Sequence, residues 1–276
     1  MDAILYSKYQ GSHQRDATEF FNSSAGLLDW YDLSKDTIMD IGCGPGSTSC
    51  KWILTLFPEI TKVIAIDSSH TMIKLAKVLN PNPKIDYYVA DILNKSSLEM
   101  WEGKISKILS TNCCQYLSDQ KGFFRNAFDL LEPGGEAAFL FELTSSYFDC
   151  YGDIADSRWN EYAKNANFRI PVSHIGKTSC SEYKNFLEKL GFEVIECKQM
   201  EKTFEFPTDE ECIGFLMALS PVKSFIPKEL EEDFSKDFFH FFLKRNGRNT
   251  CGQPLYHYSI INILAKKPFR RNASFN

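Results

Sequence analysis

Residues 37–48, TIMDIGCGPGST, place three glycines within five positions directly behind Asp40 and Ile41. The opening residues form a short apolar run suited to a buried strand, and the glycines end it. The segment STSCKWILTLF then has the apolar spacing of a helix, which stops at Pro58. Glycine accepts positive φ and lets a ligand approach the backbone closely. A strand, a side-chain-poor turn and a helix in that order constrain the fold more than any other feature of the chain.

The same unit recurs. KVIAID predicts a second strand, SHTMIKLAKVL a helix broken at NPNP, and IDYYVAD a third strand. A short helix is expected near residues 96–102, then the strand KISKILST. DQKGFFRNAFDLL predicts a helix ended by EPGG, and EAAFLFEL a fifth strand. Strands alternating with helices at this spacing form a parallel sheet with helices on both faces and right-handed crossovers. Beyond Leu143 the pattern is less regular. Residues 145–166 and 208–245 read as mostly helical, SCSEYKNFLEKLG as a helix, FEVIECKQMEKTFEF as extended, and YHYSIINILAKK as a last strand. A helix is also expected over residues 12–30, on Ala17, Phe20, Phe21, Leu27, Leu28 and Trp30.

The expected fold is therefore α/β. It is a Rossmann-like, doubly wound sheet of seven mostly parallel strands, with helices on both faces and a helical cap over the carboxyl edge. The 276 residues suit one domain. Its cofactor-binding core would span about 35–143, with an N-terminal lid over 1–30 and cap insertions over 144–178 and 207–250. In KELEEDFSKDFFHFF the acidic residues read as a solvated helix face and the phenylalanines as inward.

Net charge is −5, and the one basic stretch, KKPFRRN, is short, so nucleic acid is not an expected partner. No apolar run has the length of a membrane span. Nine cysteines, odd in number and never spaced C-x-x-C, read as reduced thiols of a cytoplasmic protein. They indicate neither a disulfide framework nor a metal site.

In an open parallel sheet, ligands bind beyond the carboxyl ends of the strands. A dinucleotide fingerprint, G-x-G-x-x-G, would need a glycine where Ser47 stands. Asp40 would also bring negative charge toward a pyrophosphate. That sign suits a cationic ligand instead, and S-adenosylmethionine carries a sulfonium, an ammonium and no phosphate. Asp40-Ile41-Gly42-Cys43-Gly44 resembles the D-x-G-x-G turn of class I methyltransferases that use this cofactor. The resemblance implies that Asp67, ending the second strand, accepts from two ribose hydroxyls. It implies that Asp91, ending the third, meets the adenine amino group while Ile92 packs on the ring. Gly42, Cys43, Gly44 and Ser68 belong to the same expected site, and Thr111 and Asn112 fall beside the cofactor's sulfur. Met72 suits either the adenine or the core. Asp67 could instead cap the helix that follows it.

Methyl transfer from a sulfonium is an in-line displacement that needs alignment and exclusion of water. None of His13, His70, His174, His240 and His257 sits in a recognisable His-Asp pair by sequence. An acceptor that needs no base is favoured, and a carboxylate, ionised above a reference pKa of about 4, is one. Gln14 offers two N–H donors ahead of the glycine turn. Arg15 could attract an anion or pair with Asp16 or Glu19.

The segments His13-Gln14-Arg15-Asp16-Ala17, Asp40–Gly46, SDQKGFFRNAFDLL and FIPKELEEDF together resemble the insect juvenile hormone acid O-methyltransferases, nearly end to end. The resemblance implies that a small hydrophobic acid is methylated on its carboxylate, held by Gln14 and, after the fourth strand, by Tyr116. Gln115 and Tyr116 replace that family's His-Trp pair. Phe148, Tyr151, Trp159, Phe168, Phe215, Leu216, Met217 and Leu219 suit either a long apolar substrate or an ordinary core. Two alternatives stay open: methylation of another small-molecule nucleophile, and binding of cofactor and lipid without catalysis.

Overall fold

The computed structural model describes residues 1–47, 49–166 and 170–269, without side chains at 49–51 and 172. The basic tail from 270 onward and Phe168 lie outside the described residues. Two short helices open the chain, α1 (Ala3–Tyr9) and α2 (Gly11–Leu27). An alternation follows: β1 (Thr37–Ile41), α3 (Ser49–Leu56), β2 (Lys62–Asp67), α4 (His70–Leu79), β3 (Ile85–Val89), β4 (Ile105–Thr111), α5 (Gln120–Leu130) and β5 (Leu131–Ser145). Then come α6 (Ser146–Ala155), α7 (Asn160–Asn165), α8 (Val172–Gly176), α9 (Cys180–Leu190), β6 (Glu193–Glu205), α10 (Asp209–Leu219), α11 (Glu231–Asn246) and β7 (Leu255–Lys266).

The seven strands form one sheet in the order β3-β2-β1-β4-β5-β7-β6. The run from β3 through β5 pairs in parallel. Strand order reverses at β1, with β2 on one flank and β4 on the other. This is the expected Rossmann-like sheet, and β1 through β4 lie where the apolar runs predict them. The helix expected near 96–102 is two 3-10 turns, Lys95–Ser97 and Glu99–Trp101. The helix expected over 12–30 is α2, with α1 before it. The EPGG stretch is part of β5, whose pairing with β4 shifts register between Ile105 and Lys107.

The chain divides into two compact units. One comprises Met1–His13, Glu142–Thr178 and Met200–Ile260; the other comprises Gln14–Phe141, Ser179–Gln199 and everything from Ile261. The glycine turn and the first four strands belong to the second unit.

The second unit is organised around strands that are apolar on both faces. Val63 through Ile66 are all buried, as helices on both sides require. Phe123, Phe124, Phe139 and Phe141 meet mostly edge-on, and Tyr183 from α9 joins them. Glu136, at the start of the β5 core, accepts from Lys107 (2.6 Å), Trp30 (2.8 Å) and Lys266 (3.3 Å). Burial works to raise its pKa, but these three donors prevail and hold it below the usual glutamate range.

The first unit has an aromatic core of its own. Phe234, Phe238 and Phe242 follow at intervals of four on α11 and are buried, while Glu232 and Asp233 are exposed. Phe239, Phe241, Glu231 and Asp237 are half-buried, so the expected division into inward phenylalanines and solvated acids holds in part. Tyr147, Phe148, Tyr151, Trp159, Phe215, Leu216, Met217 and Leu219 are buried as well. Tyr147 packs against Phe215 and Phe238, and Trp159 against Phe234.

Candidate active site

The turn after β1 is fixed by backbone hydrogen bonds. The N–H groups of Gly42 and Cys43 both donate to the Ile66 carbonyl, at 2.8 and 3.0 Å, and Gly46 N–H closes the turn on the Cys43 carbonyl at 3.0 Å. Gly42 has φ +74°, and a Cβ there would overlap the Cys113 side chain. Gly46 has the same φ, and a Cβ there would lie 2.8 Å from the Tyr87 hydroxyl. At both positions a side chain would be strained by conformation and crowded by its neighbours.

Sheet register places the acids in a staircase. Asp40 is level with Ala65 on β2, and Ala65 with Tyr87 on β3. Asp67 stands two residues beyond Ala65, level with Val89, and Asp91 two residues beyond that. Steps of two preserve the face of the pleat, so Asp40 and Asp67 share one face. Asp40 is buried, Asp67 half-buried and Asp91 exposed. One Asp67 oxygen accepts from Gly44 N–H at 3.0 Å and the other from Ser69 N–H at 2.8 Å. Burial nevertheless raises its pKa above 3.8, the two N–H groups opposing. Asp67 does not cap α4; Ser69 does, accepting from Met72 N–H.

Other expected residues fall around this cluster. Ser68 is exposed beside Asp67, and Cys43 is buried in the turn. Met72 and Ile92 are buried, and the Ile92 carbonyl accepts from Asn126 at 2.7 Å. Asp91 accepts from Leu93 N–H at 2.9 Å. Thr111 and Asn112 end β4, both buried. Asn112 has φ +53°, a left-handed conformation that asparagine tolerates better than most residues, and its N–H donates to the Leu140 carbonyl at 2.8 Å. Desolvation, then the charges of Asp67 and Asp40, push the Cys113 thiol up to about 12, with Asp91 adding to them. Both Cys113 and Cys114 stay protonated at neutral pH, which removes them as nucleophiles.

The acceptor end is a 3-10 turn, Cys114–Tyr116, after β4. Gln120 donates to the Cys114 carbonyl at 3.3 Å and is itself held by the Tyr183 hydroxyl at 2.6 Å. Gln14 is exposed on α2, and its side chain forms no hydrogen bond among the described residues. Arg15 takes the local option, facing Asp16 at 3.5 Å and Glu19 at 3.9 Å.

Two features were not visible in the sequence, the contacts of two histidines and an unpartnered amide. In the first unit, His174 accepts from Ser145 N–H on Nδ1 (3.2 Å), so Nε2 carries the proton and donates to Asp149 at 2.9 Å. The pair was not recognisable by sequence because its partners lie 25 positions apart and are joined only by folding. Both ring nitrogens are occupied, which makes this pair structural. Also in the first unit, buried His13 lies 2.9 Å from the Tyr6 hydroxyl and 3.7 Å from Glu142. The second feature is Gln115, buried with both ends of its amide unpartnered.

A cluster of carboxylates beside a glycine turn repels phosphate and attracts a cation. The residues therefore fit S-adenosylmethionine, and among the described residues no group of His, Cys, Asp or Glu could hold a metal. Residues 38–135 match the model of the methyltransferase domain. The fold is shared with a solved Bacillus halodurans protein provisionally classed as a methyltransferase, at TM-score 0.55 and 18% identity, covering 88% of this chain and 98% of that one. Fold, turn and domain match together support an S-adenosylmethionine-dependent methyltransferase of class I architecture.

Along nearly its whole length the chain is similar to the juvenile hormone acid O-methyltransferase of Bombyx mori, at 23% identity over 96% of this chain and 97% of that protein. The enzyme of the same name from Drosophila melanogaster is 22% identical over 96% of this chain and 92% of its own. A malonyl-[acyl-carrier protein] O-methyltransferase from Ilyobacter polytropus is 34% identical over 41% of this chain and 40% of its own.

Proposed function

We propose that the chain methylates the carboxylate of a small hydrophobic acid, of the farnesoic or juvenile hormone acid type. The observation that carries this reading is similarity to two juvenile hormone acid O-methyltransferases over 96% of the chain, far beyond the matched domain. The relative that shares only part of the chain is also named for O-methylation.

When bound, S-adenosylmethionine would supply an electrophilic methyl group for transfer to a carboxylate oxygen, with S-adenosylhomocysteine as the leaving group and the methyl ester as product. In this reading Asp67 holds the ribose hydroxyls and Asp91 the adenine amino group, with Ile92 and Met72 bordering the ring. Asp40, Gly42, Cys43, Gly44 and Ser68 line the turn, and Asp40 sets its negative charge toward the cationic end. Thr111 and Asn112 border the sulfur. Gln14 and Tyr116 orient the carboxylate by donating N–H and O–H, and no base is required.

The test is incubation with cofactor and a panel containing farnesoic acid, juvenile hormone acid and other long-chain acids, read by mass spectrometry. Methyl ester is expected; none from any acid rejects the reading. Gln14→Ala is expected to lower kcat/KM for the acid by about tenfold or more, the loss of one hydrogen bond to a charged group. The dissociation constant of S-adenosylhomocysteine should stay unchanged. Equal loss of both would remove Gln14 from the acceptor site.

A further inference from the structure

Gln115 sits at the middle of the turn after β4, with 1% of its surface exposed. Neither its Nε2 nor its Oε1 has a hydrogen-bond partner among the described residues. A primary amide brings two donors and an acceptor, and buried polar groups in native proteins are almost always paired. Its surroundings are not loosely built. Tyr116 N–H bonds the Cys113 carbonyl at 3.0 Å, Leu117 N–H bonds the Cys114 carbonyl at 3.1 Å, and Gln120 ties the turn to α5 and α9. A firm backbone that holds an unpaired amide is a site waiting for its partner.

Position selects the partner. Asp67 and Asp91 lie at the ends of β2 and β3, and β4 flanks β1 on the other side. Gln115 lies three residues past Asn112, in the turn that follows β4. A bare carboxylate only accepts, so it could fill Nε2 and would leave Oε1 unpaired. Both ends are filled only by a group that donates as well.

We infer that Gln115 is a specificity-determining residue whose amide pairs with the methyl acceptor, favouring acids that carry a hydroxyl or amide N–H beside the carboxylate. This rests on the carboxylate reading above. A site built to bond a substrate hydroxyl discriminates strongly against the analogue lacking it, because its own polar group is then left unpaired.

The experiment uses the full chain and pairs of hydrophobic acids that differ by one hydroxyl on carbon 2 or carbon 3. The wild type is expected to favour the hydroxy acid in kcat/KM by about tenfold or more. Gln115→Met, of similar volume, should bring that ratio near unity. It should also melt no lower than wild type, since it removes an unpaired buried amide. Affinity for S-adenosylhomocysteine, measured by calorimetry, should not change. Ester formed equally from both acids, or a preference that persists in Gln115→Met, overturns the inference and leaves the carboxylate reading standing. A lower melting temperature for Gln115→Met overturns it in favour of a structural role. Weakened nucleoside binding with an unchanged ratio overturns it by giving the amide to the cofactor's amino-acid end. No ester from any acid overturns both readings.

Discussion

Asp67 carries opposed demands. Desolvation favours its neutral form, yet a carboxylate that accepts from hydroxyls works best ionised. Because the native state holds the proton more tightly than the unfolded chain, the unliganded fold loses stability as pH rises from 3.8 through the raised native value. Binding of the nucleoside runs the other way and weakens as pH falls through that value. Affinity for S-adenosylhomocysteine should therefore begin to decline at a higher pH than an ordinary aspartate would give. Asp67→Asn should bind it about tenfold or more weakly and lack that pH dependence. Calorimetry across pH checks both points, and an Asn variant with the wild-type slope would assign the titration elsewhere. Asp40, Asp67 and Asp91 were legible in the sequence because each ends an apolar run, where local pattern fixes position. The orphaned amide of Gln115 and the His174–Asp149 pair were not, since burial and pairing across 25 residues are products of tertiary structure.

At the scale of elements, the β1–α3 turn depends on a glycine facing a sulfur. Alanine in the left-handed region costs about 1–2 kcal/mol by itself, and at Gly42 its methyl would also overlap the Sγ and Cβ of Cys113. Gly42→Ala should thus be less destabilising in a Cys113→Gly background than in the wild type, while retaining its conformational part. Urea unfolding of the four proteins of this cycle measures the difference. An equal cost in both backgrounds would show that the backbone alone is responsible. The turn and its strands were readable from sequence because glycine and short apolar runs act locally. Helix α1 was not expected, and it buries none of its residues, so no apolar stripe announced it; Asp2 caps it. The start of β5 was also misplaced. Pro133 and the two glycines after it signal a break, yet the strand begins at Leu131. Pairing to β4 with a register shift accommodates what local propensity opposes.

For the molecule as a whole, the acids, the glycine turn and the β4 end all belong to one of the two compact units. A nucleoside bound there stabilises that unit by mass action, by about 2.7 kcal/mol at a hundred times its dissociation constant. With saturating S-adenosylhomocysteine, amide exchange should slow more in residues 37–47, 62–72 and 105–117 than in α6, α7 and α11. Greater protection in those helices would move the cofactor site to the other unit. That division was the least legible property of the chain. Composition and hydrophobic pattern are continuous across it, and sequence suggested one domain with insertions.

The chain passes from one unit to the other after His13, Phe141, Thr178, Gln199 and Ile260. Neither unit is a contiguous fragment, so trimming either terminus cannot yield one of them alone. Exchanging either unit between relatives would require three cassettes moved together, and a chimera with a single crossover would mix parts of both.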